Sequence, residues 1–242
     1  MLMDLAINLV ASLIGFLGAQ MYLRLKQGFS RRAIKWFWVP VPSTRIYLFY
    51  GEWMNLLSNV GELEPVINVQ DALTLGELRM FLEPYYPEVV VTTNKNTIDW
   101  QFPVISLGGP LPNSLTKEIG EKGLLPIWFL DMPYSQDSER IIGSVGRAEV
   151  FRSEFNEDGM LVTDVGFVAR LRSPENPLQF LYIIAGNYGM GNFGVVRHLT
   201  STKKLVQLQS LSQDQYFQTV IRSYISGRNI TNTELIHYKR LD

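Results

Sequence analysis

The glycine-rich segment Phe180–Leu199 has the residue types and spacing best suited to holding an anion. Its apolar run Phe180–Ala185 predicts a buried strand, and residues 195–199 suit a helix. The glycine-rich turn between them would present unpaired backbone N–H groups and a helix dipole to a phosphate. Glycines 189, 191 and 194 also satisfy the pattern G-x-G-x-x-G. The ligand contacts predicted here are Gly186, Asn187, Gly189 and Gly191.

A second segment, Phe102–Glu121, repeats this outline with more hydrogen-bonding side chains. The run FPVISL predicts a strand, a Gly-Gly-Pro turn follows, and a helix is predicted from about Ser114. Asn113 or Ser114 could cap that helix and also face a ligand, although a cap alone would explain both residues. The ligand contacts predicted here are Gly108, Gly109, Asn113 and Thr116.

Neither segment completes a standard nucleotide-binding motif. A dinucleotide-binding turn leads within about 20 residues to an acidic residue at a strand end. Here the next predicted strand, Leu205–Leu211, contains no carboxylate, and the chain has no G-x-x-x-x-G-K-[ST]. Two interpretations of the glycines at 186–194 therefore stay open. They form either an anion or nucleotide loop of another kind, or a tight strand-to-helix turn that packs closely on the sheet.

Aspartates near predicted strand ends could instead serve a hydrolase. Asp131 follows the run PIWFL as a magnesium-binding carboxylate would, and Asp99 lies in the preceding loop. Asp164 is interpreted as part of a turn that could also reach the site. Turn formation is the alternative for Asp131, and no metal site or cofactor is assigned. Further candidates for the site, each with an ordinary structural alternative, are Arg147, Arg170, Arg197 and His198.

The composition excludes several kinds of site. The 242 residues contain no cysteine and two histidines, which rules out disulfides, thiolate catalysis and metal sites built on several of these residues. Gly-x-Ser-x-Gly is absent, so nucleophilic serine catalysis has no support. A net charge of −1 gives no electrostatic reason to expect a nucleic-acid partner.

The N-terminal segment Leu5–Leu23 predicts a single transmembrane anchor. It carries no charge over 19 residues, and as a helix it would span roughly 28 Å of a hydrocarbon core of about 30 Å. Basic residues after the span place the N-terminus outside and the rest in the cytoplasm, at the inner membrane. A buried helix and a cleaved signal peptide are the alternatives. The basic residues are Arg24, Lys26, Arg31, Arg32 and Lys35.

The segment Lys35–Trp38 resembles the basic and aromatic belt found at membrane interfaces. Packing of these aromatic residues against the globular part is the alternative. The prolines at 40 and 42 indicate a boundary near Pro42–Thr44. We therefore predict an anchor with a juxtamembrane segment over residues 1–43 and a cytosolic α/β domain over residues 44–242.

The domain itself predicts an α/β fold, because apolar strands alternate with helical patterns. We expect a Rossmann-like, mostly parallel sheet. Asp71 is predicted to cap a helix that runs to Phe81, and the β-branched run at 88–93 to be buried on both faces. The predicted parallel strands are Arg45–Tyr50, Glu88–Thr93, Phe102–Leu107, Pro126–Leu130 and Phe180–Ala185.

From Ile141 onward the pattern changes. Glu149–Glu154 and Val162–Leu171 predict strands around an Asn-Glu-Asp-Gly turn, and hence an antiparallel insertion. Near the C-terminus, Tyr216–Ile225 and Ile230–Tyr238 flank a glycine-containing turn. Their β-branched and aromatic content favours a hairpin over a helix.

Three sequence blocks carry a resemblance to a known group of proteins. VISLGGPLPNSLT, DVGFVARLRSPENP and LYIIAGNYGMGNFGVVRHL resemble bacterial proteins of unassigned activity that share GGPxxN and AGxxGxG motifs. The resemblance covers about Phe102–Leu199 and implies a Rossmann-like fold without established chemistry. In architecture, the chain is also similar to membrane-anchored effectors of prokaryotic antiviral defence, which sense nucleotide second messengers.

Together these patterns favour a membrane-anchored sensor or effector that binds a nucleotide or another phosphorylated ligand. Ligand binding would change the packing between protomers of a homo-oligomer, and Gly15 and Gly18 give the anchor a small-residue face for association. Two alternatives stay open. One is a non-catalytic subunit that docks on another membrane protein, and the other is a nucleotide or glycosidic-bond hydrolase using Asp99, Asp131 or Asp164.

Overall fold

The computed structural model describes residues 31–56, 63–130, 140–144, 146, 148–211 and 216–241. The predicted anchor Leu5–Leu23 lies outside these residues. In the described part of the chain, no helix has the length and apolar character needed to cross a membrane. The chain divides into two compact units, residues 1–40 with 201–213, and residues 41–200 with 214–242. The first unit thus includes a segment that the predicted domain 44–242 also contains.

The described elements include five α-helices and thirteen strands, with a short 3-10 helix (Lys95–Thr97) between the fourth and fifth strands. The α-helices and strands follow in this order: α1 (residues 31–38), β1 (Arg45–Tyr50), β2 (Trp53–Leu56), β3 (Leu63–Val66), α2 (Val69–Leu82), β4 (Glu88–Thr92), β5 (Val104–Leu107), α3 (Ser114–Glu121), β6 (Ile127–Leu130), β7 (Ile141–Ser144), β8 (Val150–Arg152), β9 (Glu154–Phe155), β10 (Leu161–Arg172), β11 (Phe180–Gly186), α4 (Gly189–Thr200), α5 (Thr202–Leu211), β12 (Phe217–Ser226) and β13 (Asn229–Arg240).

The first unit contains α1 and α5, and at each of these helices the structure differs from a prediction. Phe37 and Trp38 in α1 are fully buried, with ring centroids 4.6 Å apart, so these two aromatic side chains do not form an interfacial belt. The strand predicted at Leu205–Leu211 is wrong, because this segment forms the helix α5. Leu205 and Leu208 are buried one helical turn apart, a spacing that places them on the same helix face.

The main sheet of the second unit has the order β13-β12-β10-β11-β5-β1-β4, with β9 added against β10. Its α/β character confirms the coarse prediction, but the sheet is mixed rather than mostly parallel. Strands β4, β1, β5 and β11 pair in parallel, whereas β10, β12 and β13 pair antiparallel. Of the two segments predicted as an antiparallel insertion, Val162–Leu171 forms β10, which joins the main sheet beside β11. The other, Glu149–Glu154, contains β8, which lies in a separate antiparallel sheet, and the first residue of β9. A short connection links β10 and β11, and short connections require antiparallel pairing.

Two predicted parallel strands have other positions. The run Pro126–Leu130 contains β6, which pairs with β7 in a separate antiparallel sheet whose third strand, β8, pairs with β7. Strand β4 is an edge strand with half-buried valines rather than a strand buried on both faces. The C-terminal hairpin β12–β13 is confirmed, and Gly227 takes φ +61° in its turn. The small hairpin β2–β3 was not predicted.

Helices cover both faces of the main sheet. On one face α4 packs over β10, β11 and β12, and α2 packs against α4. On the other face, α3 and β6 contribute to a hydrophobic core with inward residues of the sheet such as Phe167 and Ile183. Alternate residues of β10 and β11 therefore point to opposite layers, as the two-residue period of a strand requires. The turns that follow β5 and β11 lie between these layers.

Candidate functional site

The two glycine turns lie side by side at one edge of the sheet. Strands β5 and β11 pair in parallel with Leu107 opposite Ile184, so the two strands end at the same level of the sheet. The backbone N–H of Gly108 donates to the carbonyl of Ile184 at 2.9 Å. The two turns therefore lie together at the carboxyl ends of parallel strands, where ligands of open α/β sheets bind.

The first turn is built around a buried cap. Asn113 is fully buried, and its Oδ1 accepts from the backbone N–H of Thr116 at 2.9 Å and from Ser106 Oγ at 3.1 Å. Its Nδ2 donates to the carbonyl of Leu107 at 2.8 Å. The hydroxyl of Thr116 is 2.9 Å from that of Ser106. Capping of α3 thus accounts for Asn113 and Thr116, whose polar groups are engaged within the chain.

The second turn is shorter than predicted, because α4 begins at Gly189 and the later glycines lie inside the helix. A Cβ on Gly191 would lie 2.5 Å from the carbonyl oxygen of Val165, and one on Gly186 2.7 Å from the backbone nitrogen of Asn192. Both clashes are with backbone. Close packing of α4 on the sheet is therefore sufficient to require glycine at 186 and 191.

The N-terminus of α4 already holds an anion, the carboxylate of Asp164. This residue lies within β10 and is fully buried. Its oxygens accept from Ser153 Oγ at 2.7 Å, from the N–H of Val165 at 2.8 Å and from the N–H of Gly191. Burial raises the pKa of Asp164 to about 6, while these hydrogen bonds act in the opposite direction. The side chain of Asp164 thus accepts the hydrogen bond of a backbone N–H group that a bound phosphate would otherwise use.

A cleft of about 50 Å³ lies between the two turns. Residues 109–112 of the first turn and 186–189 of the second form two of its walls. The remaining lining residues come from the start of α2, the end of β6, the start of β7 and the first turn of α4: Asn68, Asp71, Phe129, Arg140 and Asn192.

The cleft brings together part of the predicted site. Four of the predicted residues line it: Gly109, Gly186, Asn187 and Gly189. The other four are close to it in sequence but are not among its lining residues: Gly108, Asn113, Thr116 and Gly191. The first group therefore remains the candidate for ligand contact, and capping or close packing explains three members of the second. Gly108 has φ +108°, a backbone conformation that favours glycine.

The other sequence candidates have local structural roles where the structure describes them. Asp99 Oδ1 accepts from the N–H of Gln101 before β5, at the opposite end of that strand from the glycine turn. Arg170 stacks on two phenylalanine rings, Arg197 pairs with Glu77 at 2.8 Å, and buried His198 lies 3.1 Å from the hydroxyl of Thr233. Asp131 and Arg147 lie outside the described residues.

The charged groups of the cleft were missed by sequence reasoning. Arg140 donates from Nη1 to the carbonyl of Asn187 at 3.2 Å and lies over the ring of Tyr188. Asp71 was predicted as the cap of α2, but Asn68 is the cap and Asp71 lies in the first turn. Asp71 Oδ1 accepts from Asn192 Nδ2 at 2.7 Å. Burial raises the pKa of Asp71, opposed by this hydrogen bond and by the charge of Arg140.

Two buried carboxamides at the cleft each leave an oxygen without a partner. Asn187 is fully buried and Asn192 is 4 % exposed. Asn187 Nδ2 donates to Ser153 Oγ at 3.2 Å and to the carbonyl of Phe151 at 3.4 Å. The Oδ1 atoms of both asparagines have less than 1 Å² of accessible surface and no hydrogen-bond partner in the part of the chain that the structure describes. Neither oxygen is therefore exposed to the cleft in this structure, although buried polar atoms are normally hydrogen-bonded.

No protein-family model matches the chain, and no curated protein is similar to it at a significant level. Within the described ranges, no three side chains of the metal-binding types are grouped so that they could hold a metal ion. The chemistry that the lining of the cleft offers is therefore one guanidinium and one carboxylate, beside the aromatic ring of Phe129.

Proposed function

We propose that the α/β domain binds a small phosphorylated ligand in the cleft, with a nucleotide as the first candidate. The observation that carries the proposal is the position of Arg140 between the two glycine turns. A guanidinium has five N–H donors, and the bond from Nη1 to Asn187 uses one of them. The remaining donors can form the paired, charge-assisted hydrogen bonds for which arginine is suited at phosphate sites.

Arg140, rather than a helix N-terminus, is the source of positive charge in this proposal. In the usual glycine-turn site, the amide groups of the following helix hold the phosphate. Here the N–H of Gly191 donates to Asp164, and Asn113 accepts the N–H of Thr116. An arginine at the rim can replace those amide groups as the anion partner.

The size of the cleft limits how much of the ligand it encloses. Pockets that enclose whole drug-sized ligands measure about 300–1,000 Å³, and this cleft measures about 50 Å³. It has room for one phosphate-sized group. The rest of a nucleotide would lie outside, against the rim formed by residues 110–112, where Leu111 is 44 % exposed.

In the full protein, this binding would serve a membrane-anchored sensor or effector. The uncharged segment Leu5–Leu23 is the proposed single-pass anchor in the inner membrane, with the α/β domain in the cytoplasm. The parallel strands β4, β1, β5 and β11 support a Rossmann-like relationship for this half of the sheet. Ligand binding would alter the arrangement of protomers, or of a partner membrane protein, and so that of their anchors.

Isothermal titration calorimetry of the full-length protein in detergent tests this proposal. Inorganic phosphate, AMP, ATP and GTP would be titrated into wild type, Arg140→Gln and Arg228→Gln. Arg228 lies in the exposed turn between β12 and β13 and is the matched control. Loss of a charge-assisted pair worth about 1.5–3 kcal/mol predicts affinity weaker by about 10- to 100-fold in Arg140→Gln and unchanged in Arg228→Gln.

Two results would contradict the proposal. If wild type binds neither phosphate nor any nucleotide, the cleft is not a phosphate site. If a nucleotide is bound and hydrolysed, with turnover lost on substitution of a single carboxylate, the hydrolase alternative replaces the sensor.

A further inference from the structure

The outward face of α2 carries apolar side chains, as its inward face does. Leu78 and Leu82 are buried against the domain. On the outward face, Val69 is 70 % exposed, Leu73 55 % and Met80 68 %. A helix on the surface of a globular domain normally carries polar residues on the side that faces away from the core. A contiguous apolar face of this kind marks a place where another molecule binds.

Gly76 lies on this outward face, near the middle of the helix. Positions 69, 73, 76 and 80 follow one another at intervals of four, three and four residues, which places them along one side of α2. A Cβ at position 76 would meet no heavy atom within 4 Å among the described residues, beyond its chain neighbours and the backbone of its own helix. Packing within the described chain therefore does not require this glycine, and glycine is unfavourable inside a helix. Close approach of another helix would account for it.

The four positions are self-complementary in an antiparallel arrangement. Two antiparallel copies of α2, centred between residues 74 and 75, bring Val69 opposite Met80 of the copy. The same register brings Leu73 opposite Gly76 of the copy, so that the leucine fills the space left by the missing side chain. Each contact occurs twice, as an interface with two-fold symmetry requires.

The charged residues beside this face have partners within their own chain. Glu77 pairs with Arg197 at 2.8 Å, and Arg79 pairs with Glu83 at 3.0 Å. The face therefore offers apolar surface without unpaired charge of one sign to attract a charged partner. A lipid surface is bound by helices whose polar side is rich in free lysine and arginine, and α2 lacks that feature. A second copy of the same apolar face matches it.

We infer that α2 is a homodimer interface, in which Leu73 of each copy packs at Gly76 of the other in an antiparallel helix pair. Two helices of about 21 Å bury less than the roughly 1,200 Å² of small specific interfaces. The inference therefore rests on the membrane anchor of the proposed function, which holds the copies at a high local concentration. Because Asn68 and Asp71 of α2 line the cleft, a ligand bound there would contact the helix that forms the interface.

Disulfide cross-linking tests this arrangement, because the chain contains no cysteine of its own. Val69→Cys, Met80→Cys and the double variant would be oxidised with copper–phenanthroline in membranes that hold the full-length protein, and then separated on a non-reducing gel. The antiparallel register brings position 69 of one copy to position 80 of the other, so the double variant is expected to form a cross-linked dimer.

The single variants are the controls for register. In the antiparallel pair, a position and its own copy lie about 16 Å apart along the helix axis, too far for the Cα separation of at most about 7 Å that a disulfide needs. Each single variant is therefore expected to form about tenfold less dimer. The same distance prevents the two cysteines of one chain from pairing with each other.

Leu73→Asp in the double-cysteine background separates the interface from chance collisions. Each introduced aspartate would face the apolar surface of the copy, so the cross-linked fraction is expected to fall about tenfold or more. Leu178→Asp is the matched control, because Leu178 is 81 % exposed in the turn between β10 and β11. Cross-linking in this control is expected to equal that of the double variant.

Every result supports the inference or overturns it. Equal cross-linking in the single and double variants indicates a parallel or unspecific contact and overturns the antiparallel interface. Absence of dimer in the double variant, persistence of the dimer in Leu73→Asp, or cross-linking to a different polypeptide also overturns it. If calorimetry shows phosphate or nucleotide binding while no dimer forms, the inference alone fails. If the dimer forms and nothing binds in the cleft, the ligand site of the proposed function alone fails.

Discussion

The N-termini of α3 and α4 obtain acceptors for their unpaired backbone N–H groups in two different ways. Both helices follow glycine turns at the ends of neighbouring parallel strands, and both begin with backbone N–H groups that need acceptors. In α3 the acceptor is Asn113, the residue directly before the helix. In α4 it is Asp164, which lies 27 residues before Gly191 on a different strand.

The difference shows that a strand–glycine–helix outline is not in itself an anion site. At both helices, a side chain of the protein accepts hydrogen bonds from N–H groups that a phosphate would otherwise use. A local cap such as Asn113 is visible in the sequence, whereas a cap supplied by a distant strand is not. The positive charge that remains for a ligand comes from Arg140, which belongs to neither turn.

The largest expected effect is the loss of stability when Gly191, in the first turn of α4, is replaced by alanine. Gly191→Ala would place a Cβ 2.5 Å from the backbone oxygen of Val165, and backbone cannot move aside without separating α4 from the sheet. We expect a loss of about 3 kcal/mol or more in the free energy of unfolding. Gly109→Ala in the first turn is the control, since its Cβ would meet Phe129 at an ordinary 3.5 Å. Urea denaturation measures both, and equal losses would contradict the close-packing explanation.

The next effect is a pH dependence of stability from the carboxyl at the N-terminus of α4, which the amide cap of α3 lacks. Burial raises the pKa of Asp164 from its ordinary 3.8 to about 6, so the folded protein binds this proton more tightly than the unfolded chain. The resulting stabilisation is complete below about pH 4 and is lost as the pH rises through about 6. Its full size is about 3 kcal/mol, at 1.36 kcal/mol for each pKa unit.

Urea denaturation between pH 4.5 and pH 7.5 measures this dependence. Asp164→Asn is expected to lack the component that wild type loses over this range. Asn113→Ala, which disrupts the non-titrating cap of α3, is expected to retain it. Parallel stability curves for wild type and Asp164→Asn would show that the carboxyl does not titrate in this window.

The smallest expected effect is a difference in stability between a substitution at a buried helix cap and the same substitution at an exposed cap. Asn113→Asp keeps the acceptor for Thr116 but replaces the Nδ2 donor to Leu107 with an oxygen, so two buried acceptors face each other. We expect a loss of about 1–3 kcal/mol. Asn68→Asp, at the exposed cap of α2, is expected to change stability little because both residues cap equally well. Similar results at both caps, measured by thermal denaturation, would contradict the role given to Leu107.

The parts of this structure that depend on neighbouring residues could be predicted. Apolar runs identified β1, β5 and β11, and the turn residues after Ile225 identified the C-terminal hairpin. The cap at Asn113 was visible because it directly precedes its helix. In each case the physical cause lies within a few residues of its effect.

The parts that depend on distant pairing could not be predicted. The run PIWFL has the composition of a central parallel strand, but β6 pairs with β7 in a separate sheet. Only the pairing partner decides between the two, and composition does not identify it. The contact of Asp71 with Asn192 spans 121 residues, and that of Arg140 with Asn187 spans 47. The charged wall of the cleft therefore has no local signal in the sequence.

Strand β11 pairs in parallel with β5 and antiparallel with β10, and this affects the order in which the sheet can form. Strand β5 needs β11 as a neighbour, yet residues 108–179, more than a third of the second unit, are synthesised between them. On the ribosome, the hydrogen-bonding edge of β5 therefore stays open until β11 emerges. By contrast, β10 and β11 are joined by a short turn and can pair at once. Contacts of high sequence separation form slowly, so the parallel half is the part most exposed to misassembly during synthesis.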